Sequence, residues 1–269
     1  MSELHLSELW RYPVKSMRGG RHARLAVGAR GFRADRRWML VGPDGGFLTQ
    51  RQLPRMALIN TEVTAGPRGD ELVLSLDSGE RCVVSADSQA QMIDVSVWGD
   101  RCLGSTLGET VDRWLSEFLQ QPCRLVAFPA EQRRAVDPRY AGPDDQVGFA
   151  DGFPFLLISQ ASLDELNERL DIPVAMQRFR PNLVVSGCEA HAEDQWQRIR
   201  IGDIQFRLAK PCSRCPIPSI DPMTAERGKE PLRTLHGYRY WDNHIWFGQN
   251  LLHDAIGVLQ EGMRVEVLA

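Results

Sequence analysis

The sequence predicts a mainly β chain with a few helices, an α+β protein whose strands form a barrel or a sandwich. Three observations carry this. Short runs alternate apolar and polar residues, clusters of Gly, Pro and Asp separate those runs, and only isolated stretches show a helical apolar stripe. Trp38–Val41 and residues 47–49 flank Gly42-Pro43-Asp44-Gly45-Gly46, which is hairpin composition. Leu72, Leu74 and Leu76 recur at every second position, and Asp77-Ser78-Gly79-Glu80 turns the chain into Cys82-Val83-Val84. Ile93, Val95 and Val97 alternate again. Val111, Trp114, Leu115, Phe118 and Leu119 then fall on one face of a helix, most simply a core face.

Residues 123–128 read as a strand, and the polar, proline-containing stretch up to Gln146 reads as loop. A second unit follows. Residues 153–158 form a short buried strand, and Ser162-Leu163-Asp164-Glu165 has capping-box spacing that opens a helix carrying Leu163, Leu166 and Leu170. Leu183–Ser186, 204–208 and 264–268 read as further strands, and 231–240 as a short helix. There is no internal repeat and no low-complexity linker. The expected division lies near residue 120, giving units of 1–120 and 121–269.

With 269 residues, 43% hydrophobic and 25% charged, the chain can bury one large core or two smaller ones. Its first six residues lack the basic start and apolar run of a signal peptide, and stretches such as 153–158 are far too short to span a bilayer. The expectation is a cytoplasmic protein without membrane association. The net charge of −3 hides an asymmetry: from Arg11 to Arg37 there are nine Lys or Arg and a single acid, Asp35. Such a run is a solvated face, a nucleic-acid surface, or one wall of a pocket for an anion. It contains glycines, few aromatics and no nucleic-acid motif, which favours the pocket.

The six cysteines are Cys82, Cys102, Cys123, Cys188, Cys212 and Cys215. The first three sit in or beside strand-like runs and read as small buried hydrophobes. Cys212 and Cys215, in Lys210-Pro211-Cys212-Ser213-Arg214-Cys215, form the one close pair. Structural zinc needs four ligands, and no second paired motif exists. A dithiol redox pair should open a helix, and Pro216 and Pro218 oppose one. What remains is one reactive thiolate, flanked by Lys210 and Arg214, whose charges favour the ionised form a soft metal requires, or else a buried, inert pair. Elsewhere, Phe179-Arg180-Pro181-Asn182 sets an arginine and an amide before a buried strand. Lys15-Ser16 follows Tyr12-Pro13-Val14, and Arg36 precedes the Trp38 strand. Together they supply what an anionic, hydrogen-bond-rich cofactor needs.

Tyr12-Pro13-Val14-Lys15-Ser16, Phe179-Arg180-Pro181-Asn182, Lys210-Pro211-Cys212-Ser213-Arg214-Cys215, Asp221-Pro222 and Phe247-Gly248-Gln249-Asn250 resemble the MOSC (molybdenum cofactor sulfurase C-terminal) family. The resemblance runs over essentially the whole chain, in order and at similar spacing. It is nearest to the branch with an N-terminal MOSC β-barrel domain, which contains the mitochondrial amidoxime-reducing component and bacterial proteins that detoxify N-hydroxylated bases. It implies a MOSC-type β-barrel domain preceded by an N-terminal β-barrel domain, with a molybdenum–pterin cofactor between them. Cys215 matches the molybdenum ligand. Lys15, Ser16, Arg36, Arg180, Asn182, Ser213 and Arg214 match positions that hold the pterin and its phosphate. Asp151 matches an acid beside the metal, with a role in proton handling, in ordering a water, or in structural hydrogen bonding. Gly152, Phe153 and Asn250 stand at the same site, and Cys188 matches a second family cysteine.

The implied activity is oxygen removal from N-hydroxylated compounds. Electrons would come from a separate flavoprotein reductase or ferredoxin, since the chain stops at Ala269 without the [2Fe–2S] module that some relatives append. Departures concern the substrate pocket. Pro216, Ile217, Pro218 and Ser219 replace an aliphatic residue and a Thr pair, and Gly152 and Phe153 replace hydroxyl residues. Two other readings stay open: a sulfur or molybdenum-cofactor carrier bearing a persulfide on Cys215, and a nucleic-acid-binding module using residues 11–37. Pyridoxal phosphate, which some descriptions of the family mention, finds no Schiff-base lysine motif here.

Overall fold

A computed structural model describes residues 3–66, 69–85 and 90–269. Seven strands of its nine-stranded sheet run in the order Val265–Val267, Arg198–Ile201, Ile204–Ser213, His244–His253, Phe155–Ser159, Leu183–Ser186 and His5–Arg11. The last then meets the first: Leu6 N donates to Met263 O (2.8 Å), Val265 N donates to Leu4 O (2.9 Å), and His5 bridges Arg264. The sheet is thereby closed into a barrel, which removes its exposed edges. Neighbours are antiparallel except Phe155–Ser159 and Leu183–Ser186, which run parallel and are joined through helix Gln160–Asn167.

Alternation places Phe155, Leu157, Leu183, Val185, Phe206 and Leu251 in the barrel interior. The opposite faces carry Ile158, Val184 and Phe247 under Leu163 and Leu166 of the helix. These strands are therefore buried on both sides. Leu6 and Leu9 both point inward although they are three residues apart, because a bulge between Leu6 and Glu8 shifts the register. Strand Arg24–Gly28, paired with Gly257–Gln260, adds Leu25, Val27 and Leu259 to the same core.

A second body of structure is antiparallel. Trp38–Val41, Arg124–Ala127, Asp100–Thr106 and Met92–Val97 form one sheet in that order, and Asn60–Gly66, Gly69–Ser75 and Arg81–Val84 form a meander. Helix Glu109–Leu119 lays Val111, Leu115 and Leu119 against Leu40, Leu72, Leu74 and Leu125. The first residues of the chain thus belong to the barrel that the last third builds. The chain dips into the second body at residues 12–18, rejoins the barrel over 20–32, crosses at 33–37 and returns at 128–154.

Two local expectations are corrected. The helix expected to be capped at Ser162 starts a turn earlier, at Gln160. Ser159 ends its strand in extended conformation and its hydroxyl accepts the Ser162 N–H, while the Ser162 hydroxyl is consumed by buried Glu193 (2.9 Å). The hairpin at Gly42 to Gly46 forms, but its returning arm is brief: Phe47 bridges Val41 and Leu48 N donates to Leu40 O (2.8 Å) before the chain turns away. Among the described residues no helix is long and apolar enough to cross a membrane.

Candidate active site

The crossing segments carry the candidate residues. Tyr12 is buried, Val14 bridges Trp38, and Lys15 N donates to Trp38 O (2.8 Å), so Lys15 and Ser16 are delivered at the seam between the two bodies. Arg36 arrives on the second crossing, its N–H on Tyr12 O (2.8 Å), and Arg180 on the loop before Leu183–Ser186. Ser16, Arg36 and Arg180 all adopt positive φ, +66°, +44° and +57°. Left-handed backbone at non-glycine residues costs on the order of 1 kcal/mol or more each, and its clustering here marks a site under constraint.

The Tyr12 ring lies against both guanidinium groups, 4.5 Å from Arg36 and 4.3 Å from Arg180. Arg36 Nη1 donates to Asp35 Oδ2 (2.6 Å) and Asn182 Oδ1 (3.0 Å), and its Nη2 to Arg180 O (3.2 Å). Arg180 Nη1 donates to Met17 O (2.6 Å). Burial, with Arg36 alongside, brings the Arg180 pKa down to about 10. Asn182 also donates to Trp10 O (3.2 Å) and accepts from Leu156 N (3.3 Å), so much of its amide is spent joining the barrel to the crossing.

Lys15 and Asp151 lie 136 residues apart in sequence and form an ion pair in which Lys15 Nζ also donates to Phe149 O (2.9 Å). Burial lowers the Lys15 pKa, and Asp151 opposes that shift. For Asp151, burial acts to raise its pKa, but Lys15, the Trp98 N–H and Arg51 outweigh it and hold the carboxyl below its usual range. The Asp151 side chain is nevertheless 63% exposed. It lies deep among protein atoms yet faces an open cleft that water reaches. Its segment is clamped from behind by Arg134, whose guanidinium donates to the carbonyls of Gly148 (2.9 Å), Ala150 (2.6 Å) and Asp151 (3.3 Å) and to Asp100 Oδ2 (2.7 Å).

The remaining candidates sit at the end of strand Ile204–Ser213. Pro211 lacks an N–H for the ladder and lies between two register breaks. Asn250 Nδ2 reaches the carbonyls of Lys210 (3.4 Å) and Pro211 (3.3 Å) there. Gly248, at φ +81°, lets the neighbouring strand pass: a Cβ would stand 2.8 Å from Leu157 O and 2.6 Å from the Ile158 side chain. The cations that flank Cys215 in sequence are directed elsewhere. Arg214 Nη1 donates to Cys212 Sγ (3.1 Å) and Nη2 to Phe179 O (2.8 Å), while Lys210 Nζ lies 5.1 Å from the Tyr140 ring centroid.

All twelve residues singled out from the sequence line one cleft: Lys15, Ser16, Arg36, Asp151, Gly152, Phe153, Arg180, Asn182, Ser213, Arg214, Cys215 and Asn250. Its lining holds five cations, the fifth being Arg51, against the single carboxylate Asp151. Thr49, Arg51 and Cys212 add polar groups to it beyond those twelve, and Trp98 and Arg134 support Asp151 from outside the lining. Arg134 left no sequence signal. Trp98 did leave one, a large aromatic between two strand-forming runs. Cys188 packs instead against the barrel core, where burial pushes its thiol up to about 11, and buried Cys123 is raised to about 11 likewise. Every cysteine is free. Among the described residues no three His, Cys, Asp or Glu side chains gather to hold a metal ion.

The basic run of residues 11–37 is split by folding. Lys15 and Arg36 enter the cleft, Arg18 pairs with Asp77 (3.2 Å), Arg21 with Glu8 (2.9 Å) and Glu261 (2.7 Å), and Arg33 and Arg37 with Asp70 (3.1 and 3.3 Å).

Comparison with known proteins agrees with this architecture. Residues 3–122 match the MOSC N-terminal beta barrel domain and residues 144–267 match the MOSC domain. The chain is 36% identical to human (Homo sapiens) mitochondrial amidoxime-reducing component 1, over 98% of this chain and 82% of that protein. It is 34% identical to rat (Rattus norvegicus) mitochondrial amidoxime reducing component 2, over 96% and 81%. Molybdenum cofactor sulfurase of zebrafish (Danio rerio) is 33% identical over 94% of this chain but only 32% of its own length. With both domains matched in order and relatives aligned over nearly the whole of this chain, it belongs to the MOSC family, as a MOSC N-terminal β-barrel domain followed by a MOSC domain.

Proposed function

We propose that the chain is a molybdenum cofactor-dependent reductase that removes oxygen from N-hydroxylated compounds such as hydroxylaminopurines and amidoximes. One observation carries the reading. A single cleft collects two half-buried thiols, Cys212 and Cys215, with five cations and the Lys15–Asp151 pair, and Arg214 donates to Cys212, leaving Cys215 as the thiol without such a contact among the described residues. The residues present fit an anionic, thiolate-held cofactor. Arg214 Nε is buried without a partner among the described residues. Relatives named for amidoxime reduction support the same class of chemistry.

In this reading Cys215 would ligate molybdenum, and Lys15, Ser16, Arg36, Arg180, Asn182, Ser213 and Arg214 would hold the pterin and its phosphate. Gly152, Phe153 and Asn250 would complete the wall. The cofactor supplies the two-electron redox chemistry when bound. The reaction consumes two electrons and two protons, breaks the N–O bond, and releases an amine or amidine with one water. Electrons come from a separate redox protein, a flavoprotein reductase or a ferredoxin. Asp151, kept ionised by Lys15, accepts hydrogen bonds from a water or from the substrate's N–OH and orients it. Arg36 and Arg180, held on the Tyr12 ring, present fixed positive charge that needs no rearrangement when an anion enters.

A second reading is a sulfur or molybdenum-cofactor carrier with a persulfide on Cys215. It draws on two free thiols, Cys212 and Cys215, in one cleft. Protein made in a host competent for the cofactor should contain molybdenum and pterin at close to one per chain. Cys215→Ala should lose the metal and Cys212→Ala should keep it. Wild-type protein free of molybdenum but carrying sulfane sulfur would replace the first reading with the second. Reduction of hydroxylaminopurine with an artificial electron donor then tests the reaction itself.

A further inference from the structure

The turn between Met92–Val97 and Asp100–Thr106 runs against its own residue preferences. Val97 pairs with Asp100, so the loop is the two residues Trp98 and Gly99. Trp98 takes φ +56°, whereas Gly99, which could adopt such an angle freely, does not. A bulky aromatic in left-handed backbone persists only where its surroundings over-determine it, and such residues gather at ligand-binding sites.

The side chain is not spent on a core, for it is 51% exposed. Its indole N–H donates to Asp151 Oδ1 (3.1 Å), the oxygen that Lys15 also holds. The Arg51 guanidinium lies 4.3 Å from the ring centroid, and the Phe47 ring stands 5.2 Å away at 55°. Arg51 and Asp151 both line the cleft that contains Cys215. An aromatic plate therefore stands at the cleft beside the charged pair, one side carrying a guanidinium and half its surface open.

We infer that Trp98 selects the substrate: its open indole surface stacks planar, π-delocalised N-hydroxylated compounds, such as hydroxylated nucleobases and aromatic amidoximes, in preference to saturated hydroxylamines. This rests on the reductase reading above. A flat ring gains dispersion and quadrupole attraction on the indole that a saturated substrate cannot, and the cation beyond it deepens the stack. The hydrogen bond to Asp151 fixes the tilt of the plate relative to the group proposed to orient the N–OH.

The test uses holoenzyme with Trp98→Gly and Trp98→Phe. Glycine accepts the turn's φ, so the first variant removes the indole while keeping the hairpin. Phenylalanine keeps a ring and loses only the N–H. KM for hydroxylaminopurine should rise about tenfold in Trp98→Gly and at most about threefold in Trp98→Phe. KM for an aliphatic hydroxylamine should shift by the same small factor, at most about threefold, in both variants, because both lose the N–H on Asp151 and the aliphatic compound gains nothing from the ring. Adenine, a flat ligand that cannot be reduced, should bind about tenfold more weakly to Trp98→Gly and close to normally to Trp98→Phe, by calorimetry. Equal changes for flat and aliphatic substrates, or adenine affinity that is the same in all three proteins, would overturn the inference. A wild type that reduces neither compound defeats the reductase reading instead, and adenine binding still decides the role of Trp98.

Discussion

Replacing Arg134 by Met removes the clamp behind Asp151 while nearly conserving length and bulk. The Arg134 side chain is 7% exposed and gives hydrogen bonds to three main-chain carbonyls and to Asp100. Asp100 is 53% exposed, so that ion pair contributes about 0–1 kcal/mol. The bonds to Gly148 and Ala150 are buried and charge-assisted, each worth about 1.5–3 kcal/mol, and Met satisfies neither carbonyl. The bond to Asp151 O is longer and adds less. A loss of about 3–5 kcal/mol follows. In a chain of this size that is a fall of roughly 10 °C in Tm. Urea unfolding followed by tryptophan fluorescence measures the first quantity and calorimetry the second. Asp100→Asn serves as control and should stay within about 1 kcal/mol of wild type. Arg134→Met within about 1 kcal/mol of wild type would refute the clamp. An equal loss in Asp100→Asn would assign the energy to the ion pair instead.

Two further outcomes are expected. Burial raises the Tyr12 phenol well above its ordinary pKa, and its hydroxyl has no partner among the described residues. Tyr12→Phe should therefore lie within about 1 kcal/mol of wild type, whereas Tyr12→Leu should lose about 2–4 kcal/mol because it removes the plate between Arg36 and Arg180. Comparable urea midpoints for the two variants would contradict this. Asp151 keeps its charge in the folded state at pH values where the unfolded chain's carboxylate, near about 3.9, takes up a proton. Its contribution is full above about pH 4 and is lost as the pH falls through its lowered value. Asp151→Asn should flatten the decline of the urea midpoint below about pH 4. Parallel acid limbs in the two proteins would show that the pair with Lys15 does not hold the carboxylate down.

Strands with one wet face were legible as strands. Ile93, Val95 and Val97 alternate with Asp94 and Ser96 because one side of their sheet is packed and the other is open. His244–His253 was recognised only through its motif at residues 247–250. Its inner face meets the barrel core and its outer face a helix, so no alternation survives in Trp246, Phe247, Leu251 and Leu252. His5–Arg11 escaped because the bulge sets Leu6 and Leu9 three apart, which matches neither period. In the site, residues carried by motifs were readable; Arg51 and Arg134, which act only across the fold, were not, and Trp98 showed as a large aromatic beside a strand run without pointing to the cleft.

By itself the sequence determined the β-rich class, the close pair Cys212 and Cys215 followed by two prolines, and the residue types an anion needs. Each of these is local, set by periodicity, by proline stereochemistry or by a short motif. The tertiary structure alone decided that Arg214 serves Cys212, that Lys15 meets Asp151 across 136 residues, and that the first strand closes the barrel of the last third. The physical reason is that an ion pair or a strand pairing is specified by backbone paths crossing in space. Here an excursion at residues 12–18, a crossing at 33–37 and a return at 128–154 between two bodies of sheet bring the whole cleft together at a single seam.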